Sequence, residues 1–123
     1  MKKKFKNAEM AVMLNQLRPL LSHRDKIGYV AARNFRILGE CLTEYETFRN
    51  SLIEKYGEEV KGEHGQTTIG IKVDSPNFQK FCDEMAPFNE MEHEVELMTA
   101  KYTEAIGCLS GEEILGVDWM LED

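Results

Sequence analysis

No apolar run in this chain approaches the roughly 18–20 residues that a membrane-spanning helix needs, which excludes a helical integral membrane protein. Cysteine is scarce. Cys41, Cys82 and Cys108 are odd in number, far apart, and never paired as C-x-x-C. That argues for reduced thiols rather than a disulfide framework. No strained turn presents any of them to a histidine, so no nucleophile pair is read from the sequence. His23, His64 and His93 fall in different predicted elements, and His93-Glu94-Val95-Glu96-Leu97 is not H-E-x-x-H. No metal site is therefore expected, and no cofactor. Gly62 and Gly65 precede a strand and no Lys-Ser or Lys-Thr follows, so they mark a turn around Glu63 and His64 and not a phosphate cradle. Lys2 to Lys6 have the charge of a secretory leader. Asn7, Glu9, Asn15 and Gln16 leave no apolar stretch behind them, so no signal peptide is expected.

What is present is an uneven distribution of charge. Residues 1–53 carry ten basic and five acidic side chains, a balance of +5, and residues 54–123 carry five lysines against seventeen acids, −12. With 42% hydrophobic and 30% charged residues in a chain of 123, the composition is that of a single folded domain. It reads as a basic helical hairpin over 1–57 followed by an acidic α+β part over 58–123. A charge split of this kind points to a partner-directed surface.

Periodicity orders the elements. Residues 2–6 predict an edge strand with Phe5 inward. Asn7 is a candidate N-cap for a helix carrying Ala8, Ala11, Val12, Leu14 and Leu17, which Pro19 kinks or ends. From Ile27 to Tyr56 apolar residues recur in steps of three and four, predicting one helix of about eight turns stopped by Gly57. Residues 67–73 alternate as a strand, the second arm of a hairpin. Ser75 and Pro76 start a further helix, which Pro87 should end. Val95 and Leu97 alternate with glutamates as a strand. Ser110 and Glu113 have capping-box spacing and open a last helix bearing Ile114, Leu115, Val117, Trp119, Met120 and Leu121. The predicted class is α+β: a long antiparallel helical hairpin with a small antiparallel sheet and two shorter helices.

Two surfaces are candidates for binding. Glu90, Glu92, Glu94 and Glu96 alternate. In an extended strand they would stand on one side at about 6.5–7 Å, close to the phosphate repeat of a nucleic-acid strand. Such a row could enter a basic groove by imitation, or simply be a solvated face that guards an edge. Arg24, Lys26, Arg33 and Arg36 cluster at the start of the long helix, with Tyr29 and Asn34 nearby, and could contact an anion or nucleic acid. The net charge of −7 argues against direct binding to a duplex.

The long helix, with Tyr29, Arg33, Asn34, Leu38, Glu44, Tyr45, Glu46, Arg49 and Leu52 to Gly57, follows a basic strand and Asn7-Ala8-Glu9, and the chain closes on Val117 to Asp123. In this order it resembles a family of small uncharacterised proteins of Gram-positive phages and prophages. The resemblance covers most of the chain, is weakest over 58–72, and rests on packing motifs that transfer no catalytic residue. It implies a phage product in the host bacterial cytoplasm, not an enzyme, acting on a host or phage protein. The expected role is an inhibitor of a defence or nucleic-acid-handling protein, for example an anti-CRISPR protein acting on a type II nuclease. The alternatives are a virion or tail-assembly accessory that oligomerises through the long helix, and a protein that sequesters a nucleotide signal beside Arg33 and Arg36.

Overall fold

The computed structural model describes residues 1–62 and 65–123; the expected turn residues Glu63 and His64 lie outside the described residues. The elements are of mixed class, α+β, as the sequence predicts. They belong to two compact units: residues 1–42 with 92–123, and residues 43–91. The second is thus an insertion in the first.

In the first unit, β1 (Lys2–Lys6) pairs antiparallel with β4 (Glu92–Glu96). Phe5 and Val95 are buried on the inner face of this ribbon. α1 (Asn7–Leu17) follows without a break. Its cap is Lys6, not Asn7, which is the first helical residue and is buried. Lys6 is still extended from β1, and its N–H is taken by Glu9 Oε1 at 3.1 Å. The carboxylate thus satisfies an orphan donor without help from Asn7. α1 stops at Leu17, and Pro19 sits in a 3-10 turn, Arg18–Ser22. α2 (Lys26–Cys41) then buries Ile27, Val30, Ala31, Asn34 and Leu38.

The chain returns through β5 (Ala100–Lys101), α5 (Tyr102–Ala105), α6 (Gly111–Gly116) and β6 (Leu121–Glu122), with β5 and β6 parallel. Ser110 and Glu113 form the expected capping box, at 3.1 and 3.0 Å. The last helix is shorter than predicted. It ends at Gly116, because Val117 and Met120 turn into the core while Leu115 is left outside. Trp119 Nε1 donates to Gln16 Oε1 at 3.0 Å. Met10, Leu17, Leu20, Leu42, Leu97 and Met120 fill the centre of this unit.

The predicted eight-turn helix is interrupted. Leu42, buried, leaves the helical region at φ −93, ψ 2, and α3 (Thr43–Tyr56) begins anew. The longest described helix is therefore the sixteen-residue α2, and the expected long helical hairpin is not found among the described residues. The two segments answer to different cores. α2 serves the first unit, whereas α3 packs against α4 (Pro76–Asn89) in the second. Tyr45 bonds Asn89 at one end of that pair and Asn77 Nδ2 donates to the Tyr56 carbonyl at the other, so α3 and α4 run antiparallel. Phe48 and Phe88 stack at 4.3 Å between centroids.

Between these helices lies the expected hairpin, β2 (Glu58–Lys61) with β3 (Thr67–Gly70). A side chain at Gly57 would meet Ile53 O at 2.3 Å and Ile69 Cγ2 at 2.7 Å, so only glycine lets the chain leave α3 there. Ser75 caps α4 through the N–H of Asn77 at 3.2 Å. Pro87 does not end α4 as predicted but sits inside its last turn. There the Asp83 carbonyl loses the N–H it would otherwise accept. Only Leu52 and Met85 are buried among the described apolar residues of this unit.

Candidate functional site

α2 is set by its own cap. Asp25 Oδ1 accepts the Gly28 N–H at 3.1 Å. Gly28 lies against the His23 carbonyl, where an added Cβ would come within 2.0 Å. With Ile27, Val30, Ala31, Asn34 and Leu38 turned inward, the opposite face presents Tyr29, Ala32, Arg33 and Arg36. These four line an open hollow of about 320 Å³. Tyr29 is 61% exposed. Tyr29, Arg33 and Arg36 are spaced as i, i+4 and i+7, which puts them on one stripe. No ion pair to either arginine occurs among the described residues.

The other two predicted cations do not join them. Lys26 Nζ is held by Glu104 Oε2 at 2.9 Å. Arg24 is an exposed residue of the connector and does not line the hollow. Arg18 lies over the Phe35 ring at 5.3 Å.

The acidic row has a different setting from the one expected. Glu92, Glu94 and Glu96 share the outer face of β4, but their cross-strand partners are Lys6, Lys4 and Lys2. Lys2 Nζ also reaches Glu94 Oε1 at 3.3 Å. Three glutamates facing three lysines make a mixed-charge ribbon instead of a comb of carboxylates. Glu90 is not in the strand. It is the C-cap of α4, at φ −87, ψ −9, and belongs to the second unit. The signal for this pairing was present, since Lys2, Lys4 and Lys6 alternate with the same period as the glutamates.

A cluster that sequence spacing did not single out gathers His23, Asp25, Cys108 and Glu113. His23 Nδ1 is 3.6 Å from Asp25 Oδ2, and Nε2 is 3.9 Å from Glu113 Oε2. Both are too long for hydrogen bonds. The Gly28 N–H chiefly, then the Cys108 thiol and His23, hold the Asp25 carboxyl below its ordinary value. Desolvation and its bond to Asp25 push the Cys108 thiol up. A raised thiol is the reverse of an activated nucleophile. Nearby, the bond from Lys26 and the Lys101 N–H hold the Glu104 carboxyl down. The Tyr102 hydroxyl donates to Asp118, which raises the phenol.

Among the described residues no group of three or more His, Cys, Asp and Glu is placed to hold a metal ion. The three cysteines are free. His64, weighed above as a ligand, lies outside the described residues. No described helix is long and apolar enough to cross a membrane. No family model, curated protein or solved structure matches the chain.

Proposed function

We propose that this chain is a non-enzymatic, phage-encoded interaction protein that inhibits a defence or nucleic-acid-handling protein in the host bacterial cytoplasm, and that Tyr29, Arg33 and Arg36 make its central contact. One observation carries this reading: a solvent-facing tyrosine, 61% exposed, stands on the same helical stripe as two arginines that no carboxylate engages among the described residues. Tyr and Arg are the side chains that most often dominate binding energy at protein interfaces. The guanidinium fork matches carboxylates in a bidentate geometry, which makes an acidic surface the natural partner. The glutamates of β4 are answered by lysines, so the reading moves the contact from the acidic row to α2.

The test is affinity capture from a host lysate, followed by titration of the identified partner. Replacing Tyr29 by Ala and Arg33 and Arg36 by Glu should cost about 2 kcal/mol per hot-spot residue. Binding by the unchanged protein should also weaken as salt rises. A folded triple variant that holds the same partner with unchanged affinity would end the proposal.

The same face favours a second reading, sequestration of a nucleotide, with a base on the Tyr29 ring and phosphates on the arginines. Nucleotide released on denaturing the purified protein would select it. An assembly role through a long oligomerising helix has lost the feature it was drawn from, because the helix breaks at Leu42.

A further inference from the structure

The second unit buries little of its apolar surface. Its described apolar side chains are mostly half-exposed, and Ile53, Ile69, Ile71, Phe78 and Phe81 surround a hollow of about 330 Å³ between α3, α4 and β3. Arg49 stands one turn before Ile53 on α3 and contributes the single charged group of the lining. Arg49 and Phe81 also line a smaller neighbouring hollow of about 180 Å³ toward Tyr45 and Asn89. The two hollows therefore share Arg49 and Phe81. No carboxylate lines either one, although the unit as a whole carries ten acidic and five basic residues. No ion pair to Arg49 occurs among the described residues.

We infer that this hollow is a binding site for a small amphipathic anion, a molecule with a flexible apolar body and one carboxylate at its end. The physical argument has two parts. Aliphatic and aromatic walls around a space of this size recover transfer free energy only if an apolar group replaces water there. A lone arginine at the edge of an apolar wall adds an orientation, since its fork pairs with one carboxylate and excludes a second apolar end. An uncharged molecule would satisfy the walls and leave the guanidinium in water. A small polyanion would satisfy the guanidinium and leave the walls wet. The site shares no residue with the α2 face, so the two proposals stand or fall independently.

Decanoate is a suitable probe, with decanol as the uncharged control, each titrated calorimetrically into the intact protein below its aggregation concentration. Decanoate should give a saturable one-to-one isotherm and raise the thermal midpoint. Arg49→Gln, an exposed substitution that leaves the apolar walls in place, should weaken decanoate by about tenfold or more and leave decanol unchanged. Phe81→Leu should weaken both. Methyl resonances of Ile53, Ile69 and Ile71 should shift on addition of decanoate while those of Ile27 and Ile37 stay still. Non-saturable uptake, equal affinity for decanol and decanoate in the unchanged protein, or an Arg49→Gln isotherm that matches the original would each overturn the site.

Discussion

Asn34 carries more of the fold than its size suggests. It is wholly buried, and its side-chain amide meets the backbone of one residue twice: Nδ2 donates to Met98 O at 2.9 Å, and Met98 N donates to Oδ1 at 2.8 Å. An asparagine can in this way stand in for a strand partner and close a backbone that no ladder reaches. Asn34→Ala should leave both Met98 groups unsatisfied and cost about 2–4 kcal/mol, read as a lower denaturant midpoint. In the sequence Asn34 looked like a polar companion of Arg33 and Arg36. Its phase with Ile27, Val30, Ala31 and Leu38 places it on the core side, and residue type concealed what spacing revealed. The carboxyls of Asp25 and Glu104 are depressed in the folded state. Their stabilising effect is therefore complete above the ordinary carboxylate range and is lost as pH falls through their folded values. The thermal midpoint should drop between about pH 5 and pH 2. Asp25→Asn should show a smaller acid-induced drop, and an identical one would remove Asp25 from the account.

Among the elements, those whose signals are local were legible. β1, the Pro19 boundary, the Ser75 cap, the β2–β3 hairpin and the Ser110–Glu113 box all follow from short-range chemistry. The break at Leu42 was not legible. No glycine or proline marks it, and the apolar rhythm continues across it. What stops is the demand: α2 has six buried positions and α3 has one, because they face different cores. The paired ribbon β1–β4 gives the clearest test at this scale. Replacing Lys2, Lys4 and Lys6 by Glu sets like charges opposite one another and should destabilise by about 1–3 kcal/mol. Adding Glu92→Lys, Glu94→Lys and Glu96→Lys should restore most of the loss, with both effects shrinking at high salt. If the sixfold swap is no better than the triple change, the ribbon is held by Phe5 and Val95 alone.

For the molecule as a whole, the contrast of +5 and −12 along the chain does not survive folding. The unit of residues 1–42 and 92–123 holds ten basic and twelve acidic side chains, −2, and residues 43–91 hold five and ten, −5. The acidic tail comes back to the basic head, which a linear tally of charge cannot anticipate because it contains no topology. The same return decided the candidate site. Tyr29, Arg33 and Arg36 remain clear of it, whereas Lys26 and the row of glutamates are engaged by it.

The nesting of residues 43–91 within the other unit also fixes an order of events during synthesis. The inserted segment is contiguous and is complete in the growing polypeptide as soon as Met91 clears the ribosomal tunnel. β1 must wait for β4, and β5 must wait for Leu121. Until β4 and β6 have emerged, the first 42 residues hold their apolar helices open while the inserted segment already has all its parts. That interval is when a chaperone would meet this chain.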